Sequence, residues 1–143
     1  MKPILEQAFP IERLTREPAH HFFGYYDLTP DNSDGRLHLC HQVSFMNRMP
    51  LAADHATLGV IRLHDHAFIP FAETSAWNFQ QGSMLQWHPA RARDTVIYNA
   101  FLGGAFRSVV FNLETGRSHI LPRALAAVDP IGVVQFARAV DAQ

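Results

Sequence analysis

The chain has 143 residues, of which 48% are hydrophobic and 17% charged, a composition that suits a folded domain with its own core rather than a disordered segment. Twelve basic side chains against thirteen acidic ones give a net charge of −1, which supplies no footprint for a nucleic-acid backbone or an anionic membrane. The single cysteine, Cys40, allows no internal disulfide and reads as a buried, inert thiol in an apolar run. The start, Met1 to Gln7, carries no apolar signal-like region, and no apolar run reaches the ~18 residues of a membrane helix, so a cytoplasmic location is expected.

Short runs of Phe, Val, Ile, Leu and Tyr alternate with Gly, Pro, Asn and Asp, the punctuation of strands and turns. After an N-terminal extension (1–19), Phe22–Leu28 reads as a first strand ending at Thr29-Pro30. The turn Asp31–Gly35 follows. Leu37, Leu39 and His41 alternate with His38 and Cys40 as a second strand; Thr57–Leu63 and Ala67–Ala72 supply a third and a fourth. The series then restarts. Gly82–Pro89, Thr95–Asn99, Phe106–Leu113 and Ser118–Leu121 repeat it, and Ala127–Pro130 with Val133–Ala137 begins it a third time. Helix competes only at Ile4–Arg13, Arg123–Ala127 and Phe136–Ala142, and little is expected.

Gly82 follows Gly24 by 58 positions, and Pro89 follows Pro30 by 59. A four-stranded propeller blade takes about 40–50 residues, so the first unit holds an extra loop of about fifteen residues around Ala52–His55 by that measure. The expected fold is all-β: two four-stranded antiparallel blade-type repeats, at 20–76 and 77–125, plus the start of a third at 126–143. Two repeats and a fraction cannot close a ring of about four to eight blades. Truncation of a longer propeller is therefore the leading expectation. Self-association through exposed blade faces and a sandwich packing are the alternatives.

Three segments carry a family resemblance: His21-Phe22-Phe23-Gly24-Tyr25-Tyr26-Asp27, Gln80-Gln81-Gly82-Ser83-Met84-Leu85-Gln86-Trp87 and Val96-Ile97-Tyr98-Asn99. Together they resemble the N-terminal blades of TolB-like propellers related to oligogalacturonate lyases, over residues 20–130. The family's Ser-Pro-Asp-Gly turn is met here by Asn32-Ser33-Asp34-Gly35, with Asp34 and Gly35 matching and the proline missing. The third unit departs further, with Val128-Asp129-Pro130-Ile131-Gly132. The resemblance implies carbohydrate-related ancestry and, in a complete parent, manganese-assisted β-elimination from polyuronides. The family's metal ligands and base belong to later blades, so no catalytic or metal residue is assigned in this chain, and it is read as non-catalytic by itself. A metal-assisted polysaccharide lyase and a protein-interaction module are the alternative functions. The expected partners are a carbohydrate or the missing blades, with neither nucleic acid nor membrane.

The candidate substrate-binding residues are His21, Tyr25, Tyr26, Gln80, Gln81 and Trp87. His21 stands at the mouth of the first strand; Gln80 and Gln81 hold the matching place in the second repeat, where amides can bond sugar hydroxyls or carboxylates. The competing reading for the glutamines is backbone capping between blades. Tyr25, Tyr26 and Trp87 can stack on a sugar or fill the space between blades. Asp27 reads as orienting the following turn. His64-Asp65-His66 places two imidazoles on one face if extended, but reads as a solvated turn. The calcium reading of Asp31–Gly35 fails because Pro30 would take the first ligand position.

Overall fold

The computed structural model describes residues 10–129 and 134–136. They contain ten strands: β1 (His20–Phe22), β2 (Leu37–Val43), β3 (Ala56–Arg62), β4 (Ala67–Thr74), β5 (Gln86–Trp87), β6 (Thr95–Leu102), β7 (Ala105–Asn112), β8 (Ser118–Leu121), β9 (Leu125–Val128) and β10 (Val134–Phe136). A 3₁₀ turn, Pro89–Arg91, stands where a plain polar turn was expected. No α-helix occurs among the described residues, and no helix is long and apolar enough to cross a membrane.

The strands form three antiparallel sheets in chain order: β1-β2-β3-β4, β5-β6-β7-β8, and the pair β9-β10. Two four-stranded antiparallel sheets are therefore present with the expected strands, and β9 pairs with β10 in a separate two-stranded sheet. Arg123–Ala127, where helix competed, runs into β9. The remaining expectations for 1–9, 130–133 and 137–143 lie outside the described residues.

The expected inner strands are interrupted. β1 stops at Phe22, and the chain rejoins β2 only at the isolated Asp31–His38 bridge. Between them Gly24 takes φ +132°, and the Leu28 amide closes a turn onto the Tyr25 carbonyl. That φ is open to glycine and breaks a pleated strand. The reason is crowding, since a Cβ at Gly24 would lie 3.0 Å from the Gln81 carbonyl oxygen. In the second repeat, Gly82 (φ +59°) and Met84 (φ +54°) shorten the expected strand Gly82–Pro89 to Gln86–Trp87. The long insertion occupies the β2–β3 connection at 44–55, where the β6–β7 hairpin has only Gly103 and Gly104.

The main core lies between the first two sheets. Leu39, Leu58 and Val60 pack with Leu85, Trp87, Val96, Tyr98, Ala100 and Val109. Side chains alternate across a strand, so the first sheet contributes the Leu37-Leu39-His41 face. β6 begins at Thr95, 58 positions after the start of β2 at Leu37, so Val96, Tyr98 and Ala100 correspond to His38, Cys40 and Gln42. The two sheets thus stack front to back. The front of the second sheet, with Ile97 wholly buried, turns toward Leu125 of the third unit.

The back of the first sheet is covered by the chain's own residues 10–19. Leu14 and Thr15 lie across a small cleft of about 130 Å³ from Phe23, His38, Cys40 and Ile61. Glu12 and His66 tie the segment down at 2.8 Å. Cys40 and Ile61 are 3% and 2% exposed beneath it, so this apolar face is not left open. Burial pushes the Cys40 thiol up to about 12, which makes it inert at neutral pH, in line with the sequence reading.

Candidate functional site

One end of both sheets gathers the β2–β3 insertion, the β4–β5 connection, the Gly103-Gly104 hairpin and the stretch after β8. The insertion is held by its own contacts. Asp54 takes the Arg48 guanidinium at 2.6 and 3.0 Å and the Leu51 amide at 2.7 Å, and these bonds lower its carboxyl to about 2. Arg48 lies 3.7 Å over the Phe45 ring, and the Trp77 indole N–H donates to the Asp54 carbonyl at 2.9 Å. Phe22, Phe45, Trp77 and Phe79 pack around Val43 and Ala56 as a second, aromatic core.

In the β4–β5 connection, Asn78 Oδ1 accepts the amides of Gln80 and Gln81, and the Gln81 carbonyl accepts the Met84 amide. This turn forms one wall of a cleft of about 290 Å³, with Trp77, Gln81, Met84 and Phe106 among its lining. Phe106 is 60% exposed and packs edge-on against Phe101, its cross-strand neighbour. The lining offers an aromatic surface, an amide and a thioether, a mixture that binds by stacking and hydrogen bonding.

The predicted site residues divide. Gln81 lines the cleft, and the adjacent Gln80 is exposed on the same turn. The Gly24 backbone lies close against the backbone of Gln81 and Gly82, while the amide side chains of Gln80 and Gln81 stay exposed. Tyr25 and Tyr26 follow Gly24 and are not part of the described lining of the cleft; their rings lie 4.9 Å apart, and Tyr26 is 81% exposed. The Tyr25 phenol is raised by its hydrogen bond to Tyr26. Trp87 is buried in the main core, its indole N–H donating to the Pro30 carbonyl at 2.8 Å, so it fills space between sheets and reaches no ligand. His21 turns to the back of the first sheet, where Nε2 meets Gln42 Nε2 at 3.0 Å and the ring packs edge-on against Phe68. Burial lowers its pKa.

The His64-Asp65-His66 cluster is a turn, as expected. Asp65 binds Arg62 at 2.6 Å, an interaction that holds its carboxyl well below the usual range, and His66 is engaged by Glu12. No group of three His, Cys, Asp or Glu arranged to hold a metal ion occurs among the described residues. In the turn Asp31–Gly35, Asn32 Oδ1 accepts the Arg36 and Leu37 amides, and Asp31 pairs with His38 at 2.7 Å.

The structure adds a pair that the sequence reading passed over. His41, wholly buried, presents Nε2 to the Ser83 amide at 3.0 Å and to the Ser83 hydroxyl at 2.9 Å. Its ring stacks on Phe22 at 4.8 Å, and a Cβ at Gly82 would collide with it. Because Nε2 accepts an amide, the ring proton belongs on Nδ1, which has no hydrogen-bond partner. Burial lowers the pKa to about 4, and the nearby Phe23 and Phe22 carbonyls, too poorly placed to bond Nδ1, offset only a part of the effect. Asn99, 58 positions later, repeats the gesture. Its amide donates to the Leu125 carbonyl at 3.1 Å and accepts the Leu125 amide at 2.8 Å. Each second strand thus clasps the chain at the entry to the next sheet, and the interval that relates Gly24 to Gly82 also relates His41 to Asn99.

A serine beside a histidine invites a nucleophile reading. Ser83 is 1% exposed, and no carboxylate orients His41 from Nδ1, so the pair holds sheets together and does not face a substrate. Comparison of the chain with protein-family models, with curated proteins and with solved structures returned no match.

Proposed function

We propose that the two four-stranded sheets are successive blades of a TolB-like β-propeller related to the oligogalacturonate lyases, and that the cleft at Gln81 and Phe106 receives a carbohydrate. The observation that carries this reading is the front-to-back stacking at a 58-residue interval, with the clasp His41–Ser83 repeated as Asn99–Leu125. A sandwich would pair like faces; a propeller stacks the front of each blade on the back of the next. The Gly-Tyr-Tyr-Asp and Gln-Gln-Gly segments meet at the Gly24–Gln81 contact, which gives their co-occurrence a spatial reason.

In this reading the chain binds and does not catalyse by itself. The described lining of the cleft is amide, aromatic and thioether, with no titratable acid–base pair to move a proton. Trp77 in the wall provides an optical reporter. Titration with galacturonate oligomers is expected to change the tryptophan fluorescence saturably, with the response weakened in Gln81→Ala. Ultraviolet absorbance from an unsaturated product is expected to stay flat with Mn²⁺ present. No saturable response from folded protein would overturn carbohydrate binding, and a rising absorbance would assign the chain to the lyases instead.

A further inference from the structure

We infer that the front of the second sheet carries a phosphate-binding groove, at the opposite end from the cleft at Gln81. The groove measures about 540 Å³ and is built from His88, Arg91, Thr95, Asn112, Arg117 and His119. None of its described lining residues is acidic. Arg91 and Arg117 both line it, and neither has a carboxylate partner among the described residues. Asp94, which accepts the Thr95 hydroxyl, lines the separate groove between the two sheets.

His88 is the second, independent pointer. The residue is 9% exposed, and its position is fixed by the 3₁₀ turn, where Nδ1 accepts the Ala90 amide at 3.2 Å. Acceptance at Nδ1 places the ring proton on Nε2, and His88 is part of the wall of the groove. Desolvation, followed by the Arg91 charge, lowers the imidazole's pKa, so His88 offers its N–H without adding charge.

Two guanidiniums and a neutral donor balance a dianion, whereas a single carboxylate would leave one cation unmatched. A phosphate monoester fits that count, with three acceptor oxygens and a charge of about −1.5 to −2 at neutral pH. The volume exceeds that of the phosphoryl group, so the assigned ligand is a phosphorylated small molecule of sugar-phosphate size. Carbohydrate binding at the cleft is not required for this assignment.

The test is a titration of the full chain with glucose 6-phosphate, followed by calorimetry and by the histidine ring resonances. Lactate, a carboxylate that is no carbohydrate, serves as the carboxylate arm. Saturable binding is expected to weaken at least about tenfold in the double variant R91Q/R117Q, roughly the worth of one charge-assisted hydrogen bond. R107Q, which alters an arginine outside the groove that bonds the Leu102 carbonyl, is expected to bind like the parent. Circular dichroism of each variant reports folding separately. Absence of saturable binding to the folded parent would overturn the assignment, as would equal binding by folded R91Q/R117Q. Lactate binding as tight as glucose 6-phosphate would equally exclude a phosphate-specific groove.

Discussion

Acid offers a direct perturbation of the clasp between the first two sheets. His41 titrates near 4 when folded, against an ordinary value of 6.5. The unfolded chain therefore binds the extra proton first, and stability must fall as pH drops through that interval. Sign and window follow together: the His41 contribution is complete above about pH 6.5, declines between 6.5 and 4, and is spent below 4. The shift of about 2.5 pH units, at about 1.4 kcal/mol each, amounts to roughly 3 kcal/mol, a large share of the ~5–15 kcal/mol that holds a domain together. Structurally, a proton on Nε2 would set two donors against each other at the Ser83 amide.

Denaturant unfolding of the parent and of His41→Asn at several pH values between 7 and 4 measures the effect. Asparagine is the residue that Asn99 uses at the matching position, and it does not titrate. The variant is expected to be less stable at pH 7 by about 1–3 kcal/mol through loss of packing against Phe22, but to lose much less on acidification. A smaller slope remains from His21 and His88, both lowered by burial. Equal slopes in parent and variant would refute the argument that this imidazole is held neutral by its burial.

Two further outcomes follow from the same region. Gly82→Ala forces a side chain into a φ of +59° and into the His41 ring; a cost of about 3 kcal/mol is expected, read as a melting temperature lower by about 10 °C. Survival of the parent's melting temperature would contradict the close approach. Cys40, buried with its thiol raised to about 12, is expected to resist a thiol reagent in the native protein and to react stoichiometrically in denaturant; rapid native labelling would show that residues 10–19 do not seal that face.

Much of the strand order was legible because period-2 alternation and turn residues report local geometry. Ser118–Leu121 was read residue for residue, and the second and third strands of both repeats were located to within a few positions. The inner strands were not, because their breaks at Gly24, Gly82 and Met84 answer to a neighbouring backbone that alternation does not record. The site was legible in part for the same reason. Gln81 could be placed by its position before an inner strand, whereas Trp87 looked equally suited to stacking on a sugar until its partner, the Pro30 carbonyl, was known. His41 alternates like any strand residue. The one available signal was numerical, since Asn99 stands 58 positions beyond it, as Gly82 stands beyond Gly24. Phe106 and Trp77 entered the cleft through loop lengths and tertiary packing, which no local pattern carries.

Both clasps reach forward along the chain, His41 to Ser83 and Asn99 to Leu125, while residues 10–19 close the backward side of the first sheet. Such a stack has a direction, and its sheets couple chiefly to their nearest neighbours. Loosening the third unit would leave the first clasp standing. Loosening β1 would strip Phe22 from His41 and weaken the first clasp, and by the same rule would leave Asn99 on Leu125. Damage in such a stack stays local to one junction, so the two clasps can fail separately.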